Sequence, residues 1–248
     1  MGVFFVLSGP SCVGKGPLIQ ALRKFYPELM GSFRKLVLYN DRTARPGERD
    51  GVDYHFRTRQ AIKRLKLDRD FIVIPVRCDL QAVDVSALME LLDSGDVFFE
   101  GNPNIVSAVR ELPFPADVRF LSVFLSPLSR EEIVYLQREA QSISLQEFAT
   151  DIMRRKLLRR TTKQKGLLSS EDLANIEIRA SSALEEMRQA CNFDYVIVNH
   201  DGEDSENWDA FYYPIGDARK TMLSVAELLQ GRVPPVVDNW GDGLLKDA

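Results

Sequence analysis

The sequence predicts an α/β fold in which a mainly parallel sheet is flanked by helices. Two observations carry that prediction. Short apolar runs recur at residues 3–7, 71–76, 96–99, 119–125 and 195–198, the pattern of buried strands, and segments with helical periodicity separate them. The first run leads through a glycine loop straight into helical spacing, an order that brings loop and helix amides together on an anion.

That loop, Gly9-Pro10-Ser11-Cys12-Val13-Gly14-Lys15-Gly16-Pro17, places Gly9, Gly14 and Lys15 in register with the phosphate-loop pattern G-x-x-x-x-G-K-[ST]. Gly16 stands where the pattern has a hydroxyl that helps hold magnesium on a nucleotide. Pro17 is tolerable in a first helical turn, where its missing N–H has no intrahelical partner, although it removes one donor that faces a phosphate. We read Gly9, Pro10, Ser11, Cys12, Val13, Gly14, Lys15 and Gly16 as a phosphate cradle; the plain alternative is a glycine-rich connector.

The remaining elements follow in order. Helical spacing is clearest at 18–25, 61–67, 85–92 and 176–190, with Ser170, Glu171 and Asp172 as the capped start of the last. Pro127 marks a turn after the strand at 120–125. Residues 130–158 read as one or two amphipathic helices, and Ser144 with Glu147 forms a capping box at the second. After residue 201 come an acidic stretch, EDSENWD, a turn, YYPIGD, and a final helix at 218–230. The Pro- and Gly-containing tail is expected to be poorly ordered. A length of 248 residues suits one large domain, here 1–205, with an extension at 206–248 holding the last helix and the tail.

Thirty-two basic and 36 acidic residues give a formal charge of −4, which supplies no general electrostatic reason to bind nucleic acid. Any anion site must be built locally. Cys12, Cys78 and Cys191 are odd in number and widely spaced, fitting reduced thiols better than a disulfide framework or a metal site. No basic segment precedes the first apolar run, and no stretch approaches about 18 uninterrupted apolar residues, so neither secretion nor membrane spanning is expected. The expected address is cytoplasmic.

Arg42-Thr43-Ala44-Arg45-Pro46-Gly47-Glu48-Arg49-Asp50-Gly51-Val52-Asp53-Tyr54-His55-Phe56 resembles the GMP-binding signature of guanylate kinases, T-R-x-x-R-x-G-E-x-x-G-x-D-Y-x-F. The chemistry agrees, since two guanidinium forks and a tyrosine hydroxyl suit a monophosphate. Residues 120–129 resemble the family's strand-plus-proline segment before its lid, 178–186 its R-L-x-x-A-x-x-E helix, and 192–201 its Y-D-x-V-I-V-N-D strand. The resemblance spans roughly residues 3–201. It implies a P-loop kinase fold with an acceptor-binding insertion at about 32–83 and a helical lid at about 133–170.

It also implies phosphoryl transfer from ATP, with magnesium, to a nucleoside monophosphate, GMP before others. Lys15 and the loop backbone would hold ATP, and Arg42, Arg45 and Tyr54 would grip the acceptor phosphate. Arg160 and Arg179 would neutralise charge in flight. In the basic run at 154–162, RRKLLRRTT, the family spacing R-x-x-x-R-G-T selects Lys156 with Arg160, while Arg155 and Arg159 share the neighbouring face. Glu100 would orient magnesium through water and Asn102 would bond the base. No protein metal site and no side-chain nucleophile are required, because the transfer is direct. The implied partners are ATP and GMP, with neither nucleic acid nor membrane.

Departures from the pattern are chemical. Leu38-Tyr39-Asn40-Asp41 replaces a serine- and threonine-rich approach, Val73 stands where the resemblance places a guanine-pairing glutamate, and Gln81 to Asp84 replace Y-G-S. Glu100-Gly101-Asn102 replaces D-x-D. Without buried groups complementary to guanine, discrimination against other bases should be weak. Two alternatives stay open: a kinase of another phosphorylated acceptor, suggested by a clamp without a base pocket, and a catalytically weak guanylate-kinase-like binding module, suggested by Gly16, Pro17 and Val73. Residues 130–153 exceed what the family pattern needs, which points to an enlarged lid or a hairpin for a protein partner.

Overall fold

In a computed structural model, which describes residues 2–45, 47–138 and 144–245, the first apolar run is strand β1 (Val3–Ser8), with Phe4 through Leu7 wholly buried. A strand apolar on both faces belongs in a sheet covered on both sides. Helix α1 (Lys15–Phe25) starts inside the glycine loop, and α2 (Pro27–Met30) follows. Next come the short strands β2 (Arg34–Lys35), β3 (Tyr39–Asn40) and β4 (His55–Phe56), then α3 (Arg59–Leu65). Beyond them lie β5 (Phe71–Val76), β6 (Asp79–Asp84), α4 (Val85–Asp93), β7 (Val97–Gly101), α5 (Pro103–Arg110) and β8 (Arg119–Ser126). The last third holds α6 (Arg130–Leu136), α7 (Leu145–Lys165), α8 (Ser170–Ser181), α9 (Ala183–Arg188), β9 (Tyr195–Val198) and α10 (Gly216–Leu229).

Five strands run in the order β2-β7-β1-β8-β9, with β2–β7 and β8–β9 paired in parallel. The other four form a sheet of order β4-β3-β6-β5. The run at 71–76 therefore sits outside the parallel sheet. Arg77, at φ +55, lies in the two-residue connection from β5 to β6, so the strands pair directly and antiparallel, with Val73 opposite Ala82. The chain divides into two compact units, one of Met1–Val6 and Ser32–Leu121, the other of Leu7–Gly31 and Ser122–Ala248. In the first, Ile62, Leu80 and Ala82 form a small core against which Tyr39, Leu65, Phe71 and Val73 pack. In the second, Cys12, Met153, Leu157, Ile176, Ala180 and Ala183 cluster, joining the glycine loop to the long helices.

The Ser144–Glu147 box is present: Ser144 Oγ accepts from the Glu147 N–H at 3.2 Å and Glu147 Oε2 accepts from the Ser144 N–H at 3.1 Å. The cap before α8 falls on Ser169, one residue earlier than expected, because the reciprocal bond needs a partner three positions on and Asp172 supplies it. The single helix expected at 176–190 breaks at Ser182. There Ser181 Oγ donates to Glu177 O and Ser182 Oγ to Arg179 O, the serine competition with helical bonding that favours helix ends. Of the 130–153 stretch, residues 139–143 lie outside the described residues. The tail is better anchored than its composition suggests: Val196 and Asp238 exchange backbone bonds at 2.7 and 2.9 Å, and Trp240 is buried; residues 246–248 lie outside the description. Among the described residues no helix is long and apolar enough to cross a membrane.

Candidate active site

The glycine loop takes its shape from contacts that only glycine allows. Gly9 has φ +140, and a Cβ there would lie 2.3 Å from the Leu125 carbonyl oxygen; Gly14 has φ +105, and a Cβ would meet Asn199 Nδ2 at 2.5 Å. Lys15 is buried, and its Nζ donates to the carbonyls of Gly9 and Pro10, both at 2.9 Å. The ammonium thus sits inside the curl of the loop. Gly14 caps α1 without a side-chain bond, so the first amides of the helix have no side-chain cap there, and Pro17 removes one of them. Asn199 Nδ2 donates to Val13 O at 2.7 Å and the Glu203 N–H to Cys12 O at 3.1 Å, tying the loop to the segment after β9.

Cations gather at this loop. Arg179 on α8 is buried and donates from Nε to Ser11 Oγ at 3.0 Å. Arg160 on α7 donates from Nη1 to Glu203 Oε2 at 2.5 Å, while its buried Nε has no hydrogen-bond partner among the described residues. An orphaned buried guanidinium N–H fits an incoming phosphate oxygen. Burial pushes the Glu203 carboxyl up, but the charges of Arg160 and Lys15 outweigh it and hold the group below the usual carboxylate range. Burial, with Glu203 nearby, pushes the Cys12 thiol up to about 12, so it stays neutral. Elsewhere in the basic run, Arg154 pairs with Glu177 and Arg155 with Asp151, Lys156 Nζ donates to His200 O, and Arg159 is 72% exposed. A cavity of about 400 Å³ lined by Pro17, Gln20, Lys24, Lys163, Glu203 and Trp208 opens beside α1.

The acceptor candidates lie in the first unit. Arg42 grips Glu48 with both Nη atoms, at 2.7 and 2.6 Å, and its guanidinium lies over the rings of Tyr54 and Phe56 at 5.1 and 5.4 Å. The Arg45 N–H donates to Glu48 Oε2, and its side chain is exposed. Burial raises the Tyr54 phenol, with Arg42 and Glu100 among the charges it feels. Asn102 Oδ1 accepts from the Asn104 N–H and caps α5, so this oxygen has a structural task. Val73 packs into the Ile62 core, and Asp84 Oδ1 caps α4 by accepting from the Ala87 N–H. Neither side chain is left to read a base. Asn40, in the stretch that departs from the family pattern, is wholly buried with Nδ2 unpartnered among the described residues; two polar residues were missed by sequence reasoning: Gln81, opposite it in the sheet, and Asp79, whose carboxyl burial and Asp41 raise while Arg42 and Arg45 pull it down. Glu203 was also missed. Its only sequence signal is the acidic segment that follows the strand at 195–198.

A family model described as guanylate kinase matches residues 2–154. The chain belongs to the guanylate kinase family. It is 31% identical over 217 residues to a guanylate kinase of Synechococcus sp. (strain JA-3-3Ab), a match covering 86% of this chain and 83% of that protein. A guanylate kinase of Alkalilimnicola ehrlichii is 32% identical over 202 residues, covering 81% and 82% respectively. A crystal structure of guanylate kinase from Anaplasma phagocytophilum shares the fold, with a TM-score of 0.51 at 22% identity over 93% of this chain and 85% of that one. The guanylate kinase model match ends within α7, so Arg160, Arg179 and Glu203 lie beyond it.

Proposed function

We propose that this guanylate kinase family member transfers the γ-phosphoryl group of ATP to the phosphate of GMP, yielding ADP and GDP. The observation that carries the reading is the buried Lys15 inside a glycine loop ringed by Arg160 and Arg179. Loop amides from Gly9 to Gly16 and the Lys15 ammonium bind the ATP phosphates, and the cavity beside α1 has room for a nucleoside. Arg42, Arg45 and Tyr54 hold the acceptor phosphate, with Glu100 and Asn102 as neighbours on the base and magnesium side. Arg160 and Arg179 stabilise the charge that builds on the transferring group. Residues 1–205 form the kinase domain, with the acceptor insertion at 32–83 and the lid at 133–170. Cys12, Cys78 and Cys191 are free thiols, which supports a cytoplasmic setting. The binding-module alternative is not favoured, and neither is a different acceptor.

Magnesium, when bound, supplies charge neutralisation on the phosphates. Gly16 offers no hydroxyl, and among the described residues no group of three or more His, Cys, Asp or Glu side chains is placed to hold a metal. In this reading the ion would come with the nucleotide, and Glu100 would orient it through water. Gly16→Ser is expected to lower the magnesium concentration giving half-maximal rate by about threefold to tenfold, since a hydroxyl adds one hard oxygen ligand. A magnesium titration of the initial rate checks this, and an unchanged requirement would mean that position 16 is remote from the ion.

Coupled ADP release with ATP, magnesium and either GMP, AMP, ribose 5-phosphate or inorganic phosphate tests the proposal. GMP is expected to sustain turnover. With Val73 in an apolar core, the preference for GMP over AMP should stay within about 100-fold, where a fully complementary polar site reaches about 10⁴-fold or more. No ADP release with any acceptor would overturn the kinase reading. A much stronger preference would mean that Asn40, Gln81 and Asp79 have rebuilt the guanine pocket.

A further inference from the structure

We propose that Glu203 is a positioning residue: it holds Arg160 against the phosphate loop and yields it to the nucleotide polyphosphate as that ligand binds. The inference rests on the reading of Arg160 as a phosphate-facing charge and goes beyond it, because it assigns a role to the carboxylate opposite.

Residues 199–204 form a strap between the phosphate loop and α7. On the loop side, Asn199 bonds Val13 O and the Glu203 N–H bonds Cys12 O. Gly202 passes so close to Cys12 that a Cβ there would lie 2.5 Å from its carbonyl oxygen. On the helix side, Lys156 Nζ reaches His200 O at 2.5 Å, and Arg160, one turn further along α7, reaches Glu203 Oε2 at the same distance. The basic face of α7 is docked on the strap. The strap is itself pinned: His200 contacts Asp217 at 2.6 Å and Glu132 at 3.0 Å, and Asp201 accepts from Asn207, Ser205 and the Ala218 N–H. Glu203 is thus presented by a rigid segment, not by a side chain swinging from a free loop.

The charge pattern shows what such a carboxylate does. Lys15, Arg160 and Arg179 all lie within electrostatic reach of Glu203. Three cations converging on an apolar-backed loop repel one another strongly in a low dielectric, and one carboxylate relieves that repulsion until phosphate oxygens arrive. Arg–carboxylate pairs are frequently bidentate. Here Nη1 is on Glu203 while Nε is buried without a hydrogen-bond partner among the described residues, so the fork is held with donor capacity to spare. Glu203 therefore opposes polyphosphate binding slightly, as a competitor for the same cation, and assists transfer by keeping that cation in place.

The test pairs calorimetric titration of ADP and magnesium with steady-state kinetics on the full chain, for the parent, Glu203→Gln, Arg160→Ala and the double variant. Glu203→Gln is expected to tighten ADP about threefold to tenfold through removal of one competing charge, while lowering kcat about tenfold. In the Arg160→Ala background the same change should alter kcat less than about twofold, because the residue it positions is gone. Equal kcat losses in both backgrounds would overturn the proposal, since Glu203 would then act without Arg160. So would parent-like kcat and ADP affinity in Glu203→Gln when Arg160→Ala alone is slow. A parent-like kcat in Arg160→Ala marks the different failure, that of the reading of Arg160 itself. Should Glu203→Gln fail to fold in a thermal unfolding scan, Glu203→Asp keeps the charge and shortens its reach. It is then expected to lower kcat with ADP affinity unchanged, and an unchanged kcat would overturn the proposal.

Discussion

Lys15→Ala is expected to lower kcat by at least about two orders of magnitude, the scale for removing one strong donor aimed at developing charge. The structure sharpens the expectation. The ammonium is buried and already lies within the curl of the loop, bonded to Gly9 O and Pro10 O, so little reorganisation separates it from an anion in the cradle. Losing those two bonds costs about 1 kcal/mol each in stability, so a thermal unfolding curve belongs beside the kinetics. A folded variant that releases ADP from ATP and GMP at the parent rate would reduce the loop to a connector. Lys15→Arg is expected to be poorly active as well, because a larger planar fork does not fit where a compact charge is enclosed by two carbonyls.

Arg42→Ala is expected to raise the KM for GMP about 30-fold, the equivalent of about 2 kcal/mol for a charge-assisted pair, with the KM for ATP nearly unchanged. Arg42 does two things at once. It faces the rings of Tyr54 and Phe56, and it binds the Glu48 carboxylate bidentately, which fixes the turn that carries Arg45. Burial works against charge on both groups, yet the pairing prevails: the Arg42 guanidinium is raised and the Glu48 carboxyl lowered from their ordinary values. Removing the arginine leaves Glu48 without its cation, so the signature loop loosens as well as the grip. Arg42→Lys should recover little, since one ammonium cannot make both bonds. Titration of GMP by calorimetry alongside KM checks the claim, and an unchanged GMP affinity would place the acceptor phosphate elsewhere.

Much of this was legible because it is local. The run VFFVL and the glycine loop behind it announce a buried strand that turns into a helix through neighbours in sequence; β1 follows that reading almost residue for residue, and α1 begins already at Lys15, ahead of the expected 18. The Ser144–Glu147 box is likewise a three-residue relation, written in the chain and realised as written. Capping at Ser169 in place of Ser170 shows the limit even of local reading, where two adjacent serines compete and only the bond geometry chooses.

What the amino-acid order determined alone is the longer strands and helices with clear periodicity, the glycine and lysine positions of the loop, and the spacing of Arg42 and Arg45. These depend on backbone propensity and on side chains a few residues apart, energies that exist before the chain is folded. Tertiary structure decided the rest. It put Glu203 on Arg160 across 43 residues of sequence, turned Val73 into an apolar core, and left the Asn40 amide buried. It also paired β5 with β6 in antiparallel, which no periodicity within the run at 71–76 distinguishes from a parallel neighbour. The physical reason is that burial, desolvation and ion pairing arise only when distant segments exclude water together, so the charge balance at the phosphate loop has no counterpart in any short stretch of sequence.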